Sequence, residues 1–577
     1  MRQRVKGPIV EAVAIAGTHV IILAFDIPAR KRKGLLGFAI HREDHTEDEA
    51  YWLRGFKTFE DQVHPIKPGE LVLTLEHPIQ GFWWGDYTAK PDHKYTYTVY
   101  PMYGKPKNLK QGDSTTITIE TESEDQGKHA VFFNRGVAGS QAFARKFGKV
   151  TRPRDVADYD TPPFRWLSRG LEEAILDFIG SAKDGSYGIR AAFYEFNYDP
   201  VLQALAEADK RGADVKIIYD DRGKDKVRED GRTEFHQPGT ASNEAIERVG
   251  LKKSLLVPRQ TNSYIAHNKY MILLKDGKPI EVWTGSTNIT AGGIYGQNNV
   301  GHRVRDPEVA AKYLEYWNAL SEDPQARDLR KTNEQISPNI EGDLPNGTIR
   351  CIFSPRKDET ALDWYVSQME GATETAGFTA AFGVNKKIAE VLAEEKSFLR
   401  FILLEKENAP NSNTYDLFKD THNNLIALGS VIRFGDIPEE RDVHRFVTEG
   451  TVSGLNVHVR FLHTKYMLID PLTLSPTVIS GSANFSSAST KNNDENMLVI
   501  QGDTGVSDIY FGEFLRLFHH FYFRSFMQKL LRSRREVDEV RVSHLNPDDS
   551  WADRYYDDRS VKSKERALFM KTEIPGA

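Results

Sequence analysis

The sequence predicts an all-β sandwich domain followed by two tandem α/β/α repeats that together form one pseudo-twofold domain. Three observations lead to this prediction. Short alternating strands fill the first part of the 577 residues, and helices alternate with strands in the rest. The second α/β stretch also repeats motifs of the first at constant spacing. The length by itself allows about three to five domains.

The β domain is predicted over residues 1–145, where turn-forming clusters separate short alternating runs. Strands are expected at 18–24, 35–41, 70–76, 94–102 and 115–122. In the fourth run the alternation places Tyr95, Tyr97 and Val99 on one face. This run resembles the late strands of fibronectin type III modules, and the resemblance implies a structural or docking role. Contact with a protein partner through this domain is the corresponding expectation.

The first α/β repeat is predicted over residues 150–340 and the second over 345–540. Strands alternate there with helices of 10–15 residues, a pattern that predicts βαβ units and a largely parallel sheet. Residues 321–347 are rich in Pro, Asp, Glu and Asn, and they are expected to be the linker. Residues 541–577 are expected to form a C-terminal tail that wraps around the domains.

Composition limits the classes of function. The formal net charge of -6 is too balanced for a chain that binds nucleic acid over its whole surface, so any anion site must be local. The single cysteine, Cys351, excludes a disulfide framework and a cysteine-built zinc site, and it fits a reducing compartment. No run approaches about 18 apolar residues, and no apolar signal region follows the N-terminus. We therefore expect a cytoplasmic protein without a transmembrane segment.

The repeats share a motif that carries chemistry. His267-Asn-Lys269 is followed by Gly285-Ser-Thr-Asn288, and His463-Thr-Lys465 is followed by Gly481-Ser-Ala-Asn484. Each residue of the second motif lies 196 positions after its equivalent in the first. Chance does not produce two such pairs, each with the same trailing motif at the same spacing.

The motif residues suit attack on a phosphodiester. Each His-x-Lys is expected to lie on an apolar strand, where the period of two places the histidine and lysine on one face. Lysine and asparagine side chains donate to phosphoryl oxygens, while histidines supply a nucleophile and a general acid. The predicted reaction proceeds through a phosphohistidine, and it needs neither metal nor other cofactor because the lysines neutralise the phosphoryl charge. The motif residues of this site are His267, Lys269, Ser286, Asn288, His463, Lys465, Ser482 and Asn484.

At these residues the sequence resembles the phospholipase D superfamily, whose signature is His-x-Lys-x4-Asp with a downstream Gly-Ser-x-Asn, twice per active site. The resemblance covers residues 158–535 and implies a phosphodiesterase. The sequence departs from the signature at Leu274, where the family has Asp, and at Asn299, where the second copy has Glu495. The Asp of the signature is expected to serve the fold more than the chemistry.

The resemblance also implies roles for the two downstream residues. In the family this residue of one copy typically contacts the histidine of the other, so Glu495 is expected to orient His267, and Asn299 to orient His463. A carboxylate stabilises a cationic phosphohistidine, whereas an amide leaves its partner free to give up a proton. His267 is therefore the predicted nucleophile and His463 the predicted general acid. The same-copy pairing would reverse these roles.

Nucleic acid and phospholipid are the two competing classes of substrate. The sequence favours nucleic acid, so the expected activity is that of a nuclease. The basic residues Lys224, Lys226 and Arg228 follow a predicted strand, where α/β sheets place ligands, and they are the candidate substrate-binding residues. The alternative is a phospholipase D or transphosphatidylase that acts on phospholipid. A second alternative is an inactive scaffold or binding protein.

Overall fold

The structure is a computed structural model. It describes residues 1–60, 70–136, 140–147, 159–222, 226–227, 233–235, 238–261, 265–408, 412–429, 461–532 and 544–576.

Two antiparallel sheets form the N-terminal β domain. The first has the order β1-β2-β3-β8, and the second has the order β10-β9-β4-β5 with β11 also paired to β9. The strands of this region are β1 (Arg2–Lys6), β2 (Glu11–Ala16), β3 (Ile21–Asp26), β4 (Leu35–Asp44), β5 (Glu49–Trp52), β6 (Arg54–Gly55), β7 (Val72–Leu73), β8 (Trp83–Asp86), β9 (Lys94–Lys105), β10 (Asn108–Gln111) and β11 (Thr115–Glu120).

The predicted inward face of β9 is confirmed, because Tyr95, Tyr97 and Val99 are fully buried in the core between the sheets. The strand expected at 70–76 is wrong in extent and shrinks to the two residues of β7. The chain turns directly after it, where the N–H groups of residues 76 and 77 both donate to the carbonyl of Leu73. The likeness to fibronectin type III modules and the protein partner stay predictions.

The first repeat is built on an eight-stranded sheet of order β12-β13-β21-β20-β19-β14-β15-β18. Its strands are β12 (Asp125–Gln126), β13 (His129–Phe133), β14 (Tyr187–Phe193), β15 (Asp214–Asp220), β18 (Leu256–Arg259), β19 (Lys269–Lys275), β20 (Lys278–Gly285) and β21 (Val300–Val304), with a separate pair β16 (Lys226–Val227) and β17 (Thr233–Phe235). Its helices are α1 (Ser140–Phe147), α2 (Pro162–Ser168), α3 (Leu171–Gly180), α4 (Asp199–Lys210), α5 (Pro238–Val249), α6 (Pro307–Ser321) and α7 (Ala326–Ile336).

The second repeat has a seven-stranded sheet of order β22-β28-β27-β26-β23-β24-β25. Its strands are β22 (Ile349–Ser354), β23 (Thr375–Ala380), β24 (Leu399–Leu404), β25 (Asn424–Leu428), β26 (Tyr466–Ile469), β27 (Thr477–Gly481) and β28 (Glu495–Gln501). The remaining helices are α8 (Thr360–Gly371), α9 (Lys386–Ala393), α10 (Tyr415–Phe418), α11 (Ser487–Lys491), α12 (Thr504–Arg532) and α13 (Val561–Met570).

Both sheets are mixed, so the prediction of a largely parallel sheet is wrong. Only β14-β15-β18 and β23-β24-β25 run parallel among the described strands of these two sheets. The strands that follow the motifs pair antiparallel with their neighbours on both sides. A short hairpin rather than a crossover helix joins β19 to β20, and Asp276 and Gly277 supply the two left-handed residues that such a turn needs.

The predicted linker also differs, because residues 326–336 within it form α7. Ala326, Leu329 and Ile336 lie at helical spacing and are buried, and this stripe stabilises a helix in a segment whose composition suggested a loop. The predicted domain boundaries stay predictions. The structure does show that β13, which precedes the predicted start of the first repeat, pairs with β21 in that repeat's sheet.

Helix α12 is the element around which the domains pack. Its buried apolar residues share one cluster with Val13 of the β domain, Phe133 of β13 and Phe401 of β24. Near its N-terminal end Asp508 forms a buried ion pair with Arg2 at 2.9 Å. The C-terminal segment adds to this packing, since Trp551 lies in the core of the β domain.

Candidate active site

The two His-x-Lys motifs lie where the two repeats meet. The N–H of His267 donates to the carbonyl of Asp494 at 3.0 Å, and the N–H of His463 donates to the carbonyl of Asn298 at 3.1 Å. Short parallel bridges at the preceding residues reinforce both contacts. Asp494 and Asn298 are themselves 196 positions apart, so the seam has the same pseudo-twofold relation as the motifs.

The histidine side chains share one site. Their ring centroids are 6.5 Å apart, and both side chains are buried. Reacting atoms approach to about 3–3.5 Å before bond formation, so one phosphorus atom between the rings can be within reach of both.

Each histidine is oriented by a residue of the other repeat. Nδ1 of His267 lies 2.9 Å from Oε2 of Glu495, and Nδ1 of His463 lies 3.0 Å from Oδ1 of Asn299. Nδ1 of His463 also lies 3.1 Å from the carbonyl oxygen of Ser286. These partners are acceptors, so each Nδ1 carries the proton and each Nε2 is left for substrate. The crossed pairing expected from the sequence is confirmed, and the same-copy pairing is not observed.

The motif serines hold these orienting residues. Oγ of Ser482 donates to Oε2 of Glu495 at 2.6 Å, and Oγ of Ser286 donates to Oδ1 of Asn299 at 2.8 Å. Both hydroxyls also accept a backbone N–H and are fully buried. The serines therefore hold Glu495 and Asn299 in the orientations in which they contact the histidines.

Two buried ammonium groups complete the cationic part of the site. Nζ of Lys269 donates to the carbonyl of His267 at 2.7 Å, and Nζ of Lys465 donates to the carbonyl of His463 at 2.6 Å. Burial lowers the pKa of Lys269 to about 8, although the Glu495 carboxylate opposes the shift. Burial and the neighbouring Lys269 lower the pKa of Lys465 well below its usual range. An anion bound here favours the charged form of both lysines.

The histidines are neutral at pH 7 while no anion is bound. Burial lowers the pKa of His267 to about 4, and the Glu495 carboxylate opposes part of this shift. Burial and the two lysines lower the pKa of His463 well below its usual value. Burial raises the pKa of Glu495, but His267 and Lys269 outweigh it and keep the group a carboxylate. A phosphodiester anion adds negative charge and raises the pKa of both histidines.

The two motif asparagines differ in their surroundings. The amide of Asn288 donates to the carboxylate of Glu195, while the half-buried Asn484 has no equivalent acidic partner among the described residues. Oδ1 of each asparagine is buried without a hydrogen-bond partner in the described part of the chain. Glu195 is a residue that sequence reasoning missed, because only its position two residues after β14 indicates it.

Two further acids hold the backbone that precedes each histidine. Asp220, at the end of β15, accepts the N–H of Ala266. Glu405, which follows β24, accepts the N–H of Leu462 at 2.9 Å. These acids occupy equivalent places in the two repeats, and both lie at the carboxyl ends of parallel strands, where α/β sheets place functional groups.

The departure at Leu274 concerns the fold, as expected. Asp470, its equivalent in the second repeat, accepts the backbone N–H groups of residues 373, 374 and 375 at the far end of β26 from His463. Leu274 is instead buried in an apolar cluster with Tyr270 and Tyr313. Asp470 therefore binds backbone N–H groups in the second repeat, whereas Leu274 packs among apolar side chains in the first.

We predict that Leu274→Asp, which restores the family signature, destabilises the protein by about 3 kcal/mol or more, because it buries a carboxylate among apolar side chains. Urea unfolding followed by circular dichroism measures the change. The matched variant is Lys275→Asp, at the half-buried end of the same strand, which we expect to cost less. Equal stability of Leu274→Asp and the unmodified chain would contradict the packing described for this position.

The candidate substrate-binding residues are only partly described. Lys224 and Arg228 lie outside the described residues, and Lys226 is the first residue of the short strand β16. The segment begins beside the site, because Nε of Arg222 donates to Asp220 at 3.0 Å. These three residues therefore stay predictions.

In the described parts of the chain, no three His, Cys, Asp or Glu side chains cluster as a metal site. None of the described helices, the 29-residue α12 included, has the length and apolarity of a membrane span. The cytoplasmic location stays a prediction.

Comparison with known proteins found one matching family model and several similar solved structures. The family model described as "Cardiolipin synthase, PLD-like domain" matches residues 175–321 and 420–518, which include both motifs. No curated protein matches the chain.

Three solved structures illustrate the range of similar proteins. Phosphatidylserine synthase from Haemophilus influenzae is 12% identical, with 66% of this chain and 94% of that chain covered and a TM-score of 0.40. The phospholipase D family member NUC from Salmonella typhimurium is 30% identical over 26% of this chain and 84% of its own, with a TM-score of 0.20. A yeast tyrosyl-DNA phosphodiesterase variant is 9% identical over 65% and 90%, with a TM-score of 0.31.

Proposed function

Because the chain belongs to the phospholipase D superfamily, we propose that it is a metal-independent phosphodiesterase that acts through a phosphohistidine, and that its substrate is nucleic acid. The observation that carries the proposal is the crossed pairing of two neighbouring histidines with chemically different partners, a carboxylate for His267 and an amide for His463. The proposed roles of the site residues follow from this difference.

In the first step Nε2 of His267 attacks the phosphorus atom, and a P–N bond forms as the P–O bond to the leaving group breaks. The proton on Nε2 of the imidazolium His463 passes to the leaving oxygen. His463 acquires that proton after the substrate anion has raised its pKa. Glu495 stabilises the positive charge that the phosphorylated ring of His267 carries.

In the second step a water oxygen attacks phosphorus, and the P–N bond breaks as the new P–O bond forms. The proton of the water passes to Nε2 of His463, which restores the starting state. The ammonium groups of Lys269 and Lys465 and the amides of Asn288 and Asn484 donate to the phosphoryl oxygens in both steps. They supply the charge stabilisation for which many phosphoryl-transfer sites use Mg²⁺.

Support for nucleic acid comes from Arg222, the last described residue before the basic residues. Arg222 is held beside the site by Asp220, whose carboxylate also binds the backbone that leads to His267. In the sequence, Lys224, Lys226 and Arg228 follow Arg222 within six residues, and cations close to a site can bind the phosphates of a nucleic acid.

A phospholipid substrate is the second candidate, and one observation favours it. Ile265, two residues before His267, has 39% of its surface exposed beside the site. An apolar side chain in this position could contact an acyl chain of a phospholipid.

The test is an assay of the purified protein in EDTA against labelled single- and double-stranded DNA, RNA and phosphatidylcholine. We expect cleavage of nucleic acid in EDTA, because lysines rather than a metal neutralise the phosphoryl oxygens. The doubly substituted His267→Ala/His463→Ala protein, purified in parallel, controls for contaminating nucleases. Loss of turnover in EDTA with recovery in Mg²⁺, Mn²⁺ or Zn²⁺ would exclude the mechanism, and cleavage of phosphatidylcholine alone would exclude the nuclease.

Charge reversal at Lys224, Lys226 and Arg228 is expected to weaken binding of single-stranded nucleic acid and to flatten its salt dependence. Each lost phosphate contact lowers the slope of log K against log salt by about 0.7, so three contacts lower it by about 2. Fluorescence anisotropy at several salt concentrations measures the slope. Lys210→Glu, at the exposed end of α4, is the control, and an unchanged slope in the triple variant would remove the segment from the binding surface.

A further inference from the structure

The residue that follows β13 lies against the residue that orients His463. Asn134 comes directly after β13 and is fully buried. Because Phe133 pairs with Val300 across β13 and β21, the next position places Asn134 opposite Asn299. Asn134 precedes both stretches that the family model matches, so the likeness to the family assigns it no role.

The side chain of Asn134 holds the backbone of Asn299. Its Oδ1 accepts the N–H of Asn299 at 2.9 Å, and the N–H of Asn134 donates to the carbonyl of Asn299 at 3.4 Å. In a regular antiparallel pair the carbonyl of Asn134 would accept that N–H, but here it accepts Nη2 of Arg516 at 3.1 Å. The amide side chain therefore replaces the backbone acceptor and fixes the position of Asn299.

The amino group of the same amide holds a neighbouring turn. Nδ2 of Asn134 donates to the carbonyls of Ile294 and Gln297, each at 2.7 Å. Ile294 belongs to the π-helical turn Gly292–Gly296, and Gln297 follows this turn directly. Short π-helical turns are frequent at functional sites, and this one lies between the first Gly-Ser-x-Asn motif and β21.

This turn decides which end of the Asn299 amide faces His463. Nδ2 of Asn299 donates to the carbonyl of Gly293, within the turn, at 2.8 Å. Because the amino group is bound there, Oδ1 is the atom that Asn299 presents to Nδ1 of His463. Asn134 therefore contacts both the backbone of Asn299 and the turn that binds its side chain.

The second repeat has a serine at the equivalent place. Ser354, the last residue of β22, pairs with Glu495 in the regular register of β22 and β28. The carbonyl of Ser354 accepts the hydroxyl of Tyr316 at 2.7 Å. The bridging amide thus belongs to the repeat that orients the proposed general acid, and not to the repeat that orients the proposed nucleophile.

Resting on the mechanism proposed above, we propose that Asn134 is a positioning residue for the general acid, and that it acts through Asn299 to hold Nε2 of His463 at the leaving oxygen. A displacement of about 1 Å at a catalytic group can cost about 10²-fold in rate. A leaving group that needs no proton does not depend on this placement, so the loss should be greater for a more basic leaving group. A merely structural role would slow all substrates alike.

The experiment compares diphenyl phosphate with bis(p-nitrophenyl) phosphate, because phenolate is the more basic leaving group and gains more from protonation. Single-turnover release of phenol or p-nitrophenolate, with protein in excess, measures the first step for each ester. The variants are Asn134→Ala, Asn134→Ser, Ser354→Ala as the matched control, and His463→Asn as the reference for loss of the acid. Asn134→Ser introduces the residue that the fold accepts at the equivalent place, and thermal unfolding checks that each variant is folded.

We expect both substitutions of Asn134 to slow the first step of diphenyl phosphate by about 10- to 100-fold, and that of bis(p-nitrophenyl) phosphate by less than about threefold. His463→Asn should show the same selectivity to a larger extent, and Ser354→Ala should leave the ratio of the two rates unchanged. Equal slowing of both esters by Asn134→Ser, or no slowing of either, would overturn the inference while the phosphodiesterase stands. Release of neither product by the unmodified chain would overturn the proposed function and this inference together.

Discussion

A His463→Asn variant is expected to accumulate a phosphoryl group on His267 when its substrate needs no protonation of the leaving group. Bis(p-nitrophenyl) phosphate is such a substrate, because p-nitrophenolate leaves without a general acid. The first step then proceeds, but the variant lacks the base that activates water for the second step. The adduct should persist because Glu495 stabilises the cationic ring at 2.9 Å.

Quenching in alkaline denaturant preserves the P–N bond. Peptide mass spectrometry then locates the added p-nitrophenylphosphoryl group, since one p-nitrophenolate leaves and the other stays on phosphorus. The reciprocal His267→Asn variant should carry no adduct and should lose at least about 10⁴-fold in kcat, as expected for removal of a nucleophile. Thermal unfolding of both variants checks that each retains the fold. An adduct on His463 in the His267→Asn variant, with none on His267 in the other, would reverse the assignment.

The second large effect is expected at the orienting residues. Glu495→Gln should reduce kcat by about 10²- to 10⁴-fold, because the amide no longer stabilises the charge on phosphorylated His267 and no longer selects one tautomer. The steady-state rate and the rate of the p-nitrophenolate burst separate the two steps. Asn299→Gln is the matched control, since it keeps an amide beside His463 and should cost much less.

Adding Asn299→Glu to Glu495→Gln tests whether the partners decide the roles. The hydroxyl of Ser286 donates to residue 299 as the hydroxyl of Ser482 donates to Glu495. A carboxylate at position 299 would therefore accept the same kind of hydrogen bond. We expect the phosphoryl group recovered by quenching during the p-nitrophenolate burst to lie on His463 in this double variant. If it remains on His267, the choice of nucleophile depends on something other than the orienting groups.

The sequence allows the paired α/β repeats and the histidine, lysine and asparagine positions to be predicted, because the motif spacing is constant at 196 residues. The crossed pairing was expected from the family resemblance rather than from periodicity. The mixed sheets were not predicted, since a buried strand has the same apolar pattern in parallel and antiparallel pairing. The helix at 326–336 was missed because its narrow apolar stripe is outweighed by polar composition.

The acids beside the site were beyond sequence reasoning for a different reason. Glu195, Asp220 and Glu405 each follow a buried strand, and nothing in their local sequence separates them from surface acids. Their effect arises only when tertiary packing brings them to Asn288 or to the backbone before a histidine. The hydrogen bonds of the motif serines also depend on tertiary structure. Their partners Asn299 and Glu495 lie 13 residues further along the chain, at or next to the start of the neighbouring strand.

Joining both copies in one polypeptide has a consequence for how the site could have diverged. If two identical chains formed the site about a true twofold axis, one residue position would supply the partner of both histidine rings. Any substitution at that position would then occur twice in the site. Covalent linkage removes that constraint, because positions 299 and 495 can be inherited separately. A duplicated and fused ancestor can thus specialise one half for covalent bonding and the other for release, a division of labour that a homodimer cannot encode.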